Sequence, residues 1–324
     1  MSKRFYHQAM WIVCVAALLV AQWKPTLSEP VQKTIAISQI IENADLDKVR
    51  LGAVDALKQA GFTDLKIVYE NAQGDVGTAV QIGKRFAGLS LDLILVIGTP
   101  TAQAIMRSVT NVPIVFGGIG DPVGAGLVAT LDHPGGNLTG TRSFTPVEPQ
   151  LDLIRKMLPS AKRIGILSNP AEANSRAAVD AFVKAGSAQG YVFVRETVTA
   201  SSETYTAASN LVGKVDAIYV PTDSTVVSAL ESVVKVSLSG KVPLFTAETA
   251  GVNRGALASI GLDWTEVGND TGRIAARILK GEKPGDIAIA SASRVSLRIN
   301  AKTAKSLGVE LSTELLAQAV QIVQ

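Results

Sequence analysis

A repeated alternation of strand-like and helix-like segments constrains this chain more than any other feature. Short apolar runs, such as residues 91–97 and 112–116, are separated by longer stretches in which apolar residues recur with helical spacing. Strand, helix and strand in this order predict right-handed βαβ units, whose parallel strands are buried on both faces. The chain therefore belongs to the α/β class on sequence pattern alone.

The alternation runs through the chain twice. Residues 112–116 (VPIVF) and 242–245 (VPLF) occupy equivalent places in the two copies, each after an apolar helix. A length of 324 residues is long for one α/β unit and sufficient for two. We predict two lobes, each with its own parallel sheet, and a single doubly wound sheet is the alternative. The elements after residue 256 indicate that the chain crosses back between the lobes at a hinge.

The N-terminus has the features of an export signal. Lys3 and Arg4 precede an apolar run at residues 9–21, which is short for a membrane span. We predict a signal peptide at residues 1–27 and a periplasmic mature protein, with a retained membrane anchor as the alternative. The formal charge of +3 falls to about zero once the basic residues of this segment are removed. A neutral chain without a basic stripe is a poor candidate for a nucleic-acid partner.

Residues that carry catalysis are scarce. The single cysteine, Cys14, lies in the predicted signal, and His133 is the one histidine beyond it. The sequence has no G-x-S-x-G elbow and no Walker A loop, and its glycines at residues 117–126 lack dinucleotide-binding spacing. We predict no enzyme activity, no cofactor and no metal. An exported α/β hydrolase-like enzyme is the alternative, because Asp121 and Glu248 could act as paired carboxylates across a cleft.

Polar side chains cluster where the predicted strands end, and open parallel sheets bind ligands beyond those ends. These residues are Ser38, Gln39, Gln73, Thr99, Thr101 and Asp121 in the first copy, and Asn169, Glu172, Asn174, Asp223 and Glu248 in the second. The run GTPT at residues 98–101 opens a helix whose free N–H groups and hydroxyls suit a carboxylate. Asp223 and Glu172 could pair with an ammonium group. Each also has an ordinary explanation: the threonines and Asp223 as helix N-caps, and Glu172 as a solvated acid.

Eight short motifs occur in order along the whole chain after the predicted signal. They are Ser38-Gln39-Ile40, NAQGD at 71–75, GTPTAQA at 98–104, DPVGAGLV at 121–128, PGGNLTG at 134–140, NPAEAN at 169–174, PTDSTV at 221–226 and RGALASIGLDW at 254–264. Each motif alone is unspecific, but the ordered set resembles the ABC-transporter substrate-binding proteins of the tryptophan/tyrosine-type group.

This resemblance implies the type I periplasmic-binding-protein fold, with two Rossmann-like lobes joined by a hinge of three crossovers. It implies an N-terminal lobe of residues 34–143 plus about 264–283, and a C-terminal lobe of residues 144–263 plus about 284–324. A small amino-acid-like ligand, aromatic or hydrophobic, would lie in the interlobe cleft. The partners would be a membrane permease and a separate ATPase, and we expect a monomer.

The resemblance also implies roles for the polar residues. Thr99 and Thr101 would receive the ligand carboxylate, Asp223 would receive the ammonium, and the other strand-end residues would line the cleft. Glu248 lies in a loop where we expect variation within the family, and an acid there could favour a more polar or cationic ligand. A ligand sensor of the same fold is a further alternative, since one fold serves both functions.

Overall fold

The computed structural model describes residues 32–324, in which thirteen strands form two separate sheets. The first sheet contains β1 (Lys33–Gln39), β2 (Leu65–Asn71), β3 (Leu93–Ile97), β4 (Ile114–Ile119), β5 (Leu138–Arg142) and β11 (Ala290–Ser291), in the order β11-β5-β4-β3-β1-β2. The second contains β6 (Arg163–Ser168), β7 (Val192–Thr197), β8 (Ala217–Val220), β9 (Leu244–Thr246), β10 (Ala258–Leu262), β12 (Val295–Asn300) and β13 (Ala319–Val323), in the order β13-β12-β10-β9-β8-β6-β7.

Parallel pairing dominates both sheets. Within the described residues, only β10 and β12 pair antiparallel. The central strand β3 is buried along its whole length, which explains its uninterrupted apolar sequence, because helices cover both faces of a parallel sheet. The predicted α/β class with two parallel sheets is confirmed, and the alternative of one doubly wound sheet is wrong.

Eleven α-helices connect or follow these strands in residues 32–324. They are α1 (Ala44–Gln59), α2 (Val76–Ala87), α3 (Thr99–Met106), α4 (Val147–Met157), α5 (Ala173–Ala188), α6 (Thr204–Leu211), α7 (Ser224–Ser228), α8 (Leu230–Gly240), α9 (Trp264–Leu279), α10 (Ala301–Leu307) and α11 (Thr313–Gln318). Short 3₁₀ helices occupy Ser201–Glu203, Thr249–Arg254 and Pro284–Asp286.

The chain passes between the two sheets three times. It leaves the first sheet between β5 and α4, returns between β10 and α9, and leaves again between β11 and β12. Helix α9 returns to the first sheet, where it packs on α1, β4 and β5. These passages are the three crossovers that the resemblance implied.

The third passage comes later in the chain than the lobe boundaries suggested. Strand β11 pairs with β5, and the Thr139 hydroxyl donates a hydrogen bond to the Ile287 carbonyl at 2.8 Å. Residues 284–291 therefore pack with the first sheet, although we placed everything after about residue 283 in the C-terminal lobe. We propose residue 292 as the start of the final C-terminal-lobe segment.

Glycine allows α1 and α9 to approach closely. An added Cβ at Gly268 would lie 2.6 Å from the Val49 carbonyl oxygen and 2.8 Å from that of Lys48. We expect Gly268→Leu to lower the free energy of unfolding by about 2 to 3 kcal/mol in urea titrations, because backbone atoms cannot move aside cheaply. Arg273→Leu, at an exposed position of the same helix, is the control. A Gly268→Leu protein as stable as this control would contradict the packing described.

The predicted signal peptide, residues 1–27, lies outside the described residues. Within residues 32–324, none of the helices combines the length and the apolar character that crossing a bilayer requires.

Candidate functional site

The loops at the carboxyl ends of strands from both sheets surround one gap. This central gap spans about 370 Å³, counting space that is open to solvent, and is lined by Ile40, Leu46, Gly98, Thr99, Gly118, Gly120, Ser143, Asn174, Thr222, Ser224, Glu248 and Trp264. A side chamber of about 320 Å³, counted in the same way, shares four of these residues and adds Phe144, Thr145, Val147, Gln150, Ala178, Tyr219 and Ala247. A wider mouth groove of about 1020 Å³, again counting open solvent, continues outward between α2 and α3 on one side and Asn169–Glu172 on the other.

The start of α3 forms the first-sheet wall of the central gap. Gly98 precedes the helix with a φ of 99°, and a Cβ there would overlap the Ile40 side chain. No side chain caps the α3 N-terminus, so the N–H groups of Thr99 and Thr101 are available to a guest, whereas Pro100 has none. The Thr99 hydroxyl is buried and has no hydrogen-bond partner. This wall therefore offers donors with a partial positive charge, which suit a carboxylate.

Thr101 takes a different direction from Thr99. Its hydroxyl lies 2.7 Å from that of Ser38, and both residues are buried beneath the gap. The Gln39 side chain donates to the Ile41 carbonyl and to Asp47, at 2.7 and 2.9 Å. Ser38, Gln39 and Thr101 were predicted to contact the ligand, but their side chains bond to partners within the protein. None of the three lines the central gap, the side chamber or the mouth groove.

Gln73 and Asp121 also stand apart from the gap. Gln73 is exposed in a turn with a φ of 54°, where its N–H donates to Asn71. Asp121 accepts a hydrogen bond from the Gly124 N–H at 2.9 Å. Of the carboxylate pair of Asp121 and Glu248 envisaged for a hydrolase, only Glu248 lines the central gap.

Two buried acids of the second sheet organise the start of α7. Glu172 accepts hydrogen bonds from the N–H groups of Ser224 and Thr225, at 3.0 and 2.9 Å, and from the Thr225 hydroxyl at 2.8 Å. Asp223 is the N-cap, accepting from the Val226 N–H at 2.9 Å. Burial, and then repulsion from Glu172, raise the pKa of Asp223 above its usual range.

The remaining contacts of Asp223 come from the loop after β6 and from α5. Its Oδ2 accepts from the Asn169 N–H and from the Ser175 hydroxyl, at 2.5 and 2.6 Å. The Asn169 side chain in turn donates to the Thr225 hydroxyl at 2.9 Å. Glu172 and Asn169 border the mouth groove, whereas Asp223 lines none of the three spaces. The ammonium-binding role assigned to Asp223 stays a prediction, and its observed contacts are those of a helix cap.

Asn174 and Glu248 present acceptors to the central gap. The Asn174 amide donates to the Thr222 carbonyl at 2.8 Å, and its Oδ1 is buried without a partner. Glu248 Oε2 accepts from the Asn43 amide at 2.7 Å, which links the loop after β9 to the start of α1. Burial, and then repulsion from Asp45, raise the pKa of Glu248 to about 8.

Three further residues that line the central gap or the side chamber were not predicted as site residues. Ser143 and Thr145 lie in the first crossing segment, and Trp264 begins α9 directly after the second. The Ser143 and Thr145 hydroxyls and the Trp264 Nε1 are buried without partners. Trp264 ends the RGALASIGLDW motif, and the sequence indicated that the chain crosses between the lobes near there. All three residues could therefore have been found by listing the polar side chains in the crossing segments as candidates.

Unpaired polar atoms are concentrated at this site. Nine buried side-chain nitrogen or oxygen atoms among residues 32–324 lack a partner, and five of them belong to residues lining the central gap or side chamber. These five are Thr99 Oγ1, Ser143 Oγ, Thr145 Oγ1, Asn174 Oδ1 and Trp264 Nε1. Buried polar groups in native proteins are almost always hydrogen-bonded. The cluster therefore fits a polar guest that supplies the missing partners.

Residues 34–323 match the family model described as ABC transporter substrate binding protein. A tyrosine-binding protein of Clostridioides difficile (strain R20291) is 38% identical over 282 residues, which cover 86% of this chain and 82% of that protein. That relative is a tyrosine-binding protein, which agrees with the prediction that this chain binds a solute and is not an enzyme.

Two solved structures extend the comparison. An ABC domain in complex with L-Trp from Streptococcus pneumonia is 32% identical, with a TM-score of 0.87 over 90% of this chain and 100% of that one. The ligand-free, open structure of a substrate-binding protein with adhesive properties from Clostridium difficile is 37% identical. Its TM-score is 0.68 over 90% of this chain and 99% of that one.

Proposed function

Because the chain belongs to the family of ABC transporter substrate-binding proteins, we propose that it captures an aromatic or hydrophobic amino acid in the central gap. The five unpaired polar atoms carry this proposal, since they come from helix starts and a crossing segment on the sides of both sheets and line the central gap or its side chamber. A ligand with several hydrogen-bonding groups would satisfy them together. Relatives that bind tyrosine or hold L-Trp support the choice of an amino acid.

The two ends of an amino acid suit different walls of the gap. The ligand carboxylate would accept from the Thr99 hydroxyl and the amides that open α3, where the helix dipole favours a negative charge. The ammonium would donate to Asn174 Oδ1 and to Glu248. An apolar side chain would enter the side chamber, whose walls include Phe144, Val147 and Tyr219.

Closure of two lobes around the ligand is part of the proposal. The TM-score is 0.87 with the structure that holds L-Trp and 0.68 with the ligand-free, open one, at similar identity. Contacts that bridge the two sheets support a closed arrangement: Asp45 on α1 accepts from the Thr249 hydroxyl at 2.9 Å and from the Ala250 N–H at 2.8 Å. We propose that these bridging contacts form as the gap shuts.

The transport role follows from the family. Substrate-binding proteins of ABC transporters work outside the cytoplasm, and this chain would deliver its ligand to a membrane permease powered by a separate ATPase. Export through a signal peptide at residues 1–27, a periplasmic location and a monomeric state complete the proposal.

A thermal-shift screen of all proteinogenic amino acids tests the proposed function. A ligand at a hundredfold excess over its Kd should stabilise the protein by about 2.7 kcal/mol, which raises Tm by several degrees. We expect L-tryptophan or L-tyrosine to give this shift. Their deaminated and decarboxylated analogues serve as controls and should shift Tm less. The absence of a shift with every amino acid would contradict the proposal.

A further inference from the structure

The mouth groove continues the central gap toward solvent, and the ligand proposed above leaves it empty. The two spaces adjoin, because Ile40 and Ser224 line both of them. We propose, on the basis of the function proposed above, that the groove holds a second residue joined to the amino acid in the gap. The ligands of this chain would then include dipeptides, with the N-terminal residue in the gap and the C-terminal residue in the groove.

Helix α3 forms a continuous wall from the gap into the groove. Its first residue, Thr99, lines the gap. The residues of α3 and its C-cap that line the groove are Pro100, Gln103, Ala104 and Arg107. This spacing of three, four and seven residues places them on one face of the helix. A ligand whose carboxyl end is bound at Thr99 can therefore extend along that face.

Arg107 supplies a positive charge at the outer end of this face. It follows the last residue of α3 and is exposed. Its guanidinium makes no hydrogen bond or ion pair with any residue in the described part of the chain. An arginine guanidinium binds a carboxylate through two parallel N–H donors. Arg107 therefore suits the C-terminal carboxylate of a short peptide.

The length of α3 fits one additional ligand residue. Arg107 lies eight residues after Thr99, which corresponds to about 12 Å along a helix. Helical side chains point back toward the N-terminus, and an extended arginine covers roughly 6 Å of this distance. The remaining 6 Å or so equals about 3.5 Å for one extended residue plus about 2.8 Å for a hydrogen bond between guanidinium and carboxylate.

The acids of the groove lie at its inner end, beside the gap. Asp75 caps α2 and follows Gly74, whose N–H donates to the Ile40 carbonyl at 2.7 Å. Glu172 accepts from the N–H of Ser224, which lines the gap as well as the groove. Negative charge near the gap and positive charge at the outer end match a dipeptide, whose ammonium is on the first residue and whose carboxylate is on the second.

Apolar side chains line the groove between these charges. Val76 and Val80 come from α2, and Ala171 comes from the loop after β6. Val76 is 53% exposed, so a second ligand residue that covers it would remove apolar surface from water. The groove also stays open in an arrangement in which Asp45 makes its bridging contacts. A dipeptide would therefore not have to hold the two lobes apart.

A matched pair of dipeptides tests the inference by isothermal titration calorimetry. The forward dipeptide carries alanine after L-tryptophan or L-tyrosine, whichever binds more tightly, and the reversed dipeptide carries alanine before it. We expect the forward dipeptide to bind within about tenfold of the free amino acid, since its peptide carbonyl still accepts at Thr99 and its carboxylate gains Arg107. The reversed dipeptide should bind about a hundredfold more weakly, because its extra residue replaces the ammonium in the gap.

Arg107→Gln separates the groove from the gap. It should weaken binding of the forward dipeptide about fivefold or more and leave affinity for the free amino acid unchanged, since Arg107 lines only the groove. Lys84→Gln removes an exposed cation of α2 that does not line the groove, and this control should affect neither ligand. Both replaced side chains are exposed, so the Tm of each ligand-free variant should equal that of the wild type.

The outcomes distinguish this inference from the proposed function. If the wild type binds an amino acid but not its forward dipeptide, or if Arg107→Gln binds the forward dipeptide as tightly as the wild type does, the inference is overturned and the proposed function stands. Failure of the wild type to bind any amino acid or dipeptide would overturn both.

Discussion

Replacing Thr99 with valine and Asn174 with alanine in the same chain should weaken amino-acid binding at least a hundredfold. Each side chain presents an unpaired atom to the central gap, one from the first sheet and one from the second. A hydrogen bond to a charged group contributes about 1.5 to 3 kcal/mol, and two of them together correspond to roughly a hundredfold in Kd or more. Isothermal titration calorimetry with L-tryptophan and L-tyrosine measures the loss.

The neighbouring threonine is a matched control. Thr101 has the same side chain in the same helix turn, but its hydroxyl bonds to Ser38 below the gap. Thr101→Val should cost about 1 kcal/mol of stability and change affinity little. Thr99→Val should do the opposite, keeping or raising the Tm of the ligand-free protein, since it removes a buried hydroxyl that has no partner. A larger loss of affinity from Thr101→Val would contradict the assignment.

Asp223→Ala should lower the free energy of unfolding by about 3 kcal/mol, because the Asp223 carboxyl group caps α7 and joins it to the loop after β6 and to α5. Urea unfolding provides the measurement. Asp216→Ala is a control, since Asp216 also accepts two backbone N–H groups but is exposed. The cost of the Asp223 substitution should exceed that of the control.

The pH dependence of this effect has a defined sign. The folded-state pKa of Asp223 lies above the 3.8 that is usual for an aspartate, so the folded protein binds more protons than the unfolded chain between those two values. The stabilisation that the wild type gains from the raised pKa of Asp223 is complete below pH 3.8, and it is lost as pH rises through the folded-state pKa. Asp223→Ala should thus lower the free energy of unfolding by more at pH 5 than at pH 8.

If Asp223→Ala instead left stability unchanged and abolished ligand binding, the result would favour Asp223 as the ammonium acceptor.

The sheets were predictable because the patterns that specify them are local. The apolar run of β3 and the helical spacing of α1 are both visible in short windows of sequence. The polar residues that follow the predicted strands then indicated the edge of the sheets at which the site lies. The two-residue strand β11 has no such pattern, because its place is set by pairing with β5, far away in the chain.

Side-chain direction could not be predicted in the same way. Thr99 and Thr101 are two residues apart in a helix and therefore point roughly 200° from each other, so that only one faces the gap. Glu172 and Asn174 belong to one motif, yet Glu172 bonds to the start of α7 and Asn174 opens onto the gap. Which residue of each pair meets a ligand depends on the partner element, and that element comes from a distant part of the chain.

A crystal structure of the complex with L-tryptophan or L-tyrosine tests most directly whether both sheets hold one ligand. We predict the amino acid in the central gap, with its carboxylate at Thr99 and the start of α3 and its ammonium at Asn174 and Glu248. A ligand held by residues of one sheet only, or bound outside the gap while those atoms stay unpaired, would contradict the proposed function.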